Sequence, residues 1–229
     1  ETHYSLHPIV LEFVQQQTKP TPHVQRIRTS FARHLLDFVM SHHGDYVRLD
    51  DHKQNLLPML DVVLTTDQYP ALQASALEVL NLLQPYLERS GLYTASLNLL
   101  TRVVEQVTLP DATRVELLFR QGKLAKFVAK YEIALEAFAA ALTAAQRIDL
   151  RQRYGALYNN IGDVLLQKGR YADALRQFEH AETWAQATQN LPLLYTVWSN
   201  SAVCYFFQGL FEAAQANYLK VAEHLGEDF

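Results

Sequence analysis

Residues 158–181 read YNNIGDVLLQKGRYADALRQFEHA. Tyr158, Ile161, Gly162 and Leu165 fall at helical spacing, Gly169 interrupts the run, and Tyr171, Ala174, Phe178 and Ala181 begin a second amphipathic run. The spacing predicts two antiparallel helices joined by a tight turn. Two helices approach closely only where small residues, here Gly162 and Ala174, face bulky ones, here Tyr171 and Phe178. A single pair of this kind cannot bury both of its faces, so copies are expected elsewhere in the chain.

The copies stand at a fixed interval. Gly122, Tyr131, Ala134, Phe138 and Ala141 precede Gly162, Tyr171, Ala174, Phe178 and Ala181 by 40 positions each. Trp198, Ala202, Gly209, Phe211, Ala214 and Tyr218 continue the series after another 40. This set of residues resembles the tetratricopeptide repeat, whose usual unit is about 34 residues. Each repeat here is therefore longer, and the surplus is expected to lengthen both helices and the linker. The resemblance implies an all-α fold, a right-handed α-α superhelix of antiparallel helix pairs with about 11 helices in the whole chain. Three such repeats are expected over 109–229, degenerate helical repeats over 21–108, and an entry segment over 1–20.

Composition suits that reading. The chain has 229 residues, 49% hydrophobic and 19% charged, with 8 Gly and 8 Pro, which is ordinary for a chain with an apolar core. No apolar run reaches the length of about 20 residues that crosses a bilayer. The single cysteine, Cys204, excludes an internal disulfide and suits a reducing, cytoplasmic compartment. Its neighbours Val203, Tyr205 and Phe206 make a buried structural thiol the favoured reading. The chain opens on Glu1 with no charged n-region ahead of an apolar stretch, and a piece of a longer protein is expected.

Tyr4, Leu6, His7, Pro8, Ile9 and Val10 resemble the end of the winged-helix segment in bacterial signal-transduction ATPases of the STAND (NB-ARC-like) type, just before their helical-repeat sensor arm. Residues 52–60, HKQNLLPML, resemble the run that opens such arms, with Lys53 and Gln54 where an acidic residue usually stands. No phosphate-cradling loop with Lys-Ser or Lys-Thr occurs. An ATPase module, if the parent protein has one, is expected upstream.

In the N-terminal half the spacing predicts helices over 23–41, 53–65, 70–89 and 93–107, with Pro58 absorbed by the second or bending it. His34, His42, His43, Asp45, Asp50, Asp51 and His52 supply metal-ligand types. However, adjacent histidines diverge on a helix and no Cys joins them, so a solvated loop and an Asp cap on the next helix are expected instead, with no metal and no cofactor.

No catalytic constellation is visible. Serines are scattered, the cysteine sits among apolar neighbours, and pairs such as Glu179 and Glu182 read as a solvated helix face. The chemistry is instead expected on the first helix of each pair, which the family resemblance implies faces the ligand groove. Matched by repeat position, the candidates are Phe119, Arg120, Lys123 and Lys126, then Asn159, Asn160, Asp163 and Gln167, then Ser199, Asn200, Val203 and Phe207. Asn160 and Asn200 hold one repeat position, where the resemblance implies a grip on the backbone of an extended peptide. An amide offers the donor and acceptor that a peptide bond needs. Between Arg114 and Arg153 eight cations face four acids in a chain of net charge −4, which points to a ligand with acidic groups. Nucleic acid is the weaker reading at a pI of 6.1.

Protein or peptide recognition, as the ligand-sensing or regulatory arm of a larger signalling ATPase or transcriptional regulator, is thus expected. A free-standing adaptor and a peptide-pheromone receptor domain are the alternatives, and the apolar C-terminal helices are a candidate homodimer surface.

Overall fold

Helix-forming stretches punctuated by Gly, Pro and short polar turns dominate the chain, and the computed structural model, which describes residues 21–226, is all-α among those residues. Twelve α-helices occur among the described residues. The winged-helix-like residues of the entry segment lie outside the described part. The chain divides into two compact units, the first ending at Val107 and the second beginning at Thr108.

The first unit contains α1 (Pro22–His42), α2 (Tyr46–Asp50), α3 (Lys53–Thr65), α4 (Gln73–Leu82), α5 (Gln84–Arg89) and α6 (Tyr93–Gln106). A 3-10 turn over Pro70–Leu72 leads into α4. Thr21 caps α1 by accepting from the Val24 N–H, and a proline fills its first turn. Leu35, Leu36 and Val39 of α1, Leu60 and Val63 of α3, Val79 of α4 and Leu97 and Val103 of α6 are buried, so one apolar face of each helix builds this unit's core.

Two expectations need correction here. The stretch 70–89 is not one helix: Pro85 has no N–H to donate to the carbonyl one turn back, and the helix divides at Leu83. The stretch between His42 and Lys53 is not an open loop with an Asp-capped exit. Asp45 caps the short helix α2 by accepting from the Arg48 N–H at 3.2 Å, while His52 starts α3 with no side-chain cap. Asp50 is drawn away from capping by a hydrogen bond that the Tyr86 hydroxyl donates at 2.8 Å. Burial, reinforced by this bond, pushes the Tyr86 phenol up to about 12.

The second unit is a solenoid-like array of three helix pairs. They are α7 (Asp111–Phe127) with α8 (Tyr131–Arg147), α9 (Tyr154–Gln167) with α10 (Tyr171–Ala187), and α11 (Leu191–Phe207) with α12 (Phe211–Leu225). Each helix packs chiefly on its neighbours in sequence. The surplus over the usual repeat lies in the helices, since α7, α8, α10 and α11 each have 17 residues. The connections are three residues long except between α8 and α9, where six residues intervene, including a 3-10 turn over Arg151–Arg153.

The period extends to the backbone itself. Ala129, Gly169 and Gly209 occupy the left-handed region, as do Asp149 and Gln189 between pairs. At each of these five sites the next residue's N–H reaches back past the turn, with bonds Lys130 to Ala125, Leu150 to Ala145, Arg170 to Leu165, Asn190 to Ala185 and Leu210 to Tyr205 of 2.8–2.9 Å. This is the Schellman closure, which satisfies helix-end carbonyls. Inside the pairs, Ala134, Phe138 and Ala141 of α8 and Ala174, Phe178 and Ala181 of α10 are buried at matching positions.

Candidate peptide-binding groove

The first helices α7, α9 and α11 carry the expected groove residues. On a 100° helical turn the positions 119, 120, 123, 126 and 127 share one face of α7, and their equivalents do so on α9 and α11. None of the twelve expected residues is buried, and Lys123, Gln167 and Phe207 are exposed.

The structure joins some of them across helices. Lys126 Nζ on α7 donates to Asp163 Oδ2 on α9 at 2.6 Å and to Asn160 Oδ1 at 3.2 Å. Gln167 Nε2 donates to Asp163 Oδ1 at 3.1 Å. Asn200 Nδ2 on α11 donates to Asn159 Oδ1 on α9 at 3.3 Å. A polar ladder therefore crosses all three first helices. Asn160 also anchors its own helix, its Nδ2 donating to the Ala156 carbonyl at 2.8 Å. Of the two donors and two acceptor lone pairs that each amide offers, these bonds use two on Asn160 and one each on Asn159, Asn200 and Gln167.

The basic stripe is largely neutralised within the protein. Arg120 lies 3.6 Å from Glu116, Arg153 binds the same carboxylate at 2.6 Å, and Lys126 is held by Asp163. Lys123 makes no ion pair among the described residues. Phe119 turns towards packing: its ring meets Phe138 edge-on at 5.8 Å, with the Arg153 guanidinium 5.7 Å from its centroid. Phe207 stacks on Tyr171 of α10 with centroids 5.4 Å apart and 9° between planes. Ser199 and Val203 stay half-buried on α11.

Residues not among those expected complete the face. Glu116 organises two arginines, and Phe206, which meets both Phe207 and Phe211 edge-on, lies with Leu210 and Phe211 half or more exposed. Repeat alignment carries the signal for the second group, since positions 126, 127 and 130 become 206, 207 and 210. Glu116 and Arg153 are 37 apart, close to the period, but charge pairing leaves no apolar pattern to reveal it.

Elsewhere the chemistry is inert. Cys204 is fully buried in the cluster of Leu165, Ala174, Phe178 and Val197, and burial pushes its thiol up to about 11. His42 stacks on Phe38 and His52 meets the same ring edge-on. Among the described residues no three side chains of metal-ligating type converge. No described helix is long and apolar enough to cross a membrane.

A family model for the tetratricopeptide repeat matches residues 155–188, which are α9, α10 and the turn between them. The chain carries a tetratricopeptide-repeat domain. Solved structures agree on the fold. A Podospora anserina putative kinesin light chain with nearly identical TPR-like repeats is similar at a TM-score of 0.62 and 16% identity, covering 84% of this chain and 97% of that one. BtubC from P. vanneervenii gives 0.61 and 18%, covering 93% and 85%. YrrB, described as a tetratricopeptide-repeat protein with an unusual peptide-binding site, gives 0.54 and 13%, covering 93% and 90%. No curated protein matches the chain. The repeat fold is that of a binding module, with helices arranged to present surface and no catalytic constellation among the described residues.

Proposed function

We propose that the chain is a protein- or peptide-binding module whose ligand lies extended along α7, α9 and α11, and that it is the ligand-sensing or regulatory arm of a larger cytoplasmic signalling ATPase or transcriptional regulator. One observation carries the groove: the half-buried amides of Asn159 and Asn160 on α9 and of Asn200 on α11 are already oriented by neighbours, and with Lys126 of α7 they form a ladder across the three first helices. Amides fixed in this way meet a peptide backbone without the entropy cost of ordering free side chains. The peptide-binding site that names YrrB supports the reading on the same fold. The regulatory role draws on the STAND-like residues Tyr4 to Val10 and on the run HKQNLLPML at 52–60, which resembles the opening of STAND sensor arms. The module itself is read as non-catalytic and as needing no cofactor.

The test is a pull-down from source-cell lysate with the wild-type chain and the Asn160→Ala/Asn200→Ala variant, each checked for folding by circular dichroism. A partner held by the wild type and lost by the folded variant supports the groove. A partner held equally by both moves the site elsewhere and sinks this reading.

A further inference from the structure

Positions 40 apart occupy the same place in each repeat, so the middle of the first-helix face runs from Lys123 to Asp163 to Val203. Lys123 is exposed and makes no ion pair among the described residues, whereas the charge of Asp163 is held by Lys126 at 2.6 Å. The face therefore begins with an available cation, is internally neutral at its centre, and ends apolar. That end is reinforced by Phe207 at 60% exposure and Leu210 at 50%.

An uncovered array end does not explain these two exposures. Phe127 is 65% exposed although a complete repeat follows it, and Lys130, Gln167 and Arg170 are exposed as well. The two positions face solvent in every pair, and only the third pair fills both with apolar side chains. Exposed apolar side chains grouped at one place mark an interaction surface. Phe207 is also held in place, its ring stacked on Tyr171.

From this gradient we infer the ligand class: an extended peptide segment carrying a carboxylate side chain that meets Lys123 and, some residues further on, an aromatic or large aliphatic side chain that packs on Phe207. The inference rests on the groove reading above. Neighbouring helix axes stand about 8–10 Å apart, so two steps span roughly 16–20 Å. An extended peptide advances about 3.3 Å per residue, which places the two side chains about five or six residues apart.

Fluorescence anisotropy with four fluorescein-labelled synthetic peptides of ten residues tests it. In a Ser/Asn/Gly background one carries Glu at position 2 and Phe at position 7, one has Gln for that Glu, one has Ser for that Phe, and one has both replacements. The wild type is expected to bind the first best, losing roughly two- to fivefold without the Glu and about tenfold without the Phe. Lys123→Gln should erase the preference for Glu alone, and Phe207→Ser the preference for Phe alone, with circular dichroism unchanged. Binding that ignores both peptide replacements but disappears in Asn160→Ala/Asn200→Ala keeps the groove and overturns the ligand class. Binding that survives the asparagine variant, or no binding by any peptide at millimolar concentration, overturns the groove reading and this inference together.

Discussion

A β-carbon placed on Gly162 would stand 2.6 Å from Cε1 of Phe178, and one on Gly122 would stand 2.5 Å from the same atom of Phe138. The two glycines are not there for backbone freedom, since both lie inside helices. They are there because the facing phenyl ring fills the space where their side chains would be.

Gly162→Ala should therefore destabilise the second unit by about 1–3 kcal/mol, the overpacking cost exceeding the roughly 1 kcal/mol that Ala gains over Gly in a helix. Urea unfolding followed by tryptophan fluorescence reads this directly, because Trp184 and Trp198 both lie in that unit. Gly226→Ala in the same unit, where a β-carbon meets nothing within 4 Å, is the control with little effect.

Ala129 sits at φ 57° in the turn position that Gly169 and Gly209 hold in the other two pairs. A β-carbon in the left-handed region costs about 1–2 kcal/mol. Ala129→Gly relieves that strain but loosens the unfolded chain, so a net gain of about 0.5–1 kcal/mol is expected as a shift in the urea midpoint. An unchanged or lowered midpoint would contradict the assignment of strain to this turn.

Trp198 is 6% exposed, and its indole Nε1–H donates to Glu182 Oε1 at 2.6 Å. Glu182→Ala leaves that donor without its carboxylate at a cost of about 1–3 kcal/mol. The same variant frees Lys220, which lies 5.6 Å from the Trp198 ring centroid and 4.0 Å from Glu182. A shifted tryptophan emission maximum should accompany the loss in thermal stability.

The first unit should weaken in alkali. The Tyr86 phenol is raised from 10.0 to about 12, so the unfolded chain releases this proton earlier than the folded one. The folded state thus keeps its full advantage below about pH 10 and loses it as pH rises towards 12, by up to about 2–3 kcal/mol at the upper limit. Tyr86→Phe should flatten that decline while lowering stability at neutral pH through loss of the bond to Asp50. Far-UV circular dichroism is the suitable probe, since both tryptophans belong to the other unit.

The ion pair between Lys126 and Asp163 on the groove face has its own signature. Lys126 and Asp163 are about three-quarters buried, at 23% and 24% exposure. A double-mutant cycle with Lys126→Met and Asp163→Asn should give a coupling of about 1 kcal/mol that shrinks little with salt, unlike that of a fully exposed pair.

The array was legible because its signal repeats. Gly162 against Phe178 is one small-large match among many in any sequence, but the same match at Gly122 and Phe138 fixes the register. The first unit offers no such redundancy. The five-residue helix α2 depends on the Asp45 side chain, and the break at Leu83 depends on Pro85, both single-residue effects. For the candidate groove, repeat position was legible in the sequence and side-chain pairing was not. Repeat alignment places Lys126, Asn160 and Asp163 on the first helices, yet Lys126 reaches Asp163 across 37 residues rather than 40 because its side chain leans one turn along the neighbouring helix. Charge lists alone therefore count as available cations that the fold has already paired.

The helices of the second unit pack chiefly on their sequence neighbours, and the side-chain hydrogen bonds that tie one of its pairs to the next join residues 9–41 apart. Few distant segments need to find each other, so the entropy of loop closure stays small and folding can start in any pair and spread outward. On the ribosome, a pair can settle onto its predecessor once roughly one further repeat has emerged. Hydrogen exchange should accordingly show a gradient, with amides of α9 and α10 protected longest and those of α12 exchanging first.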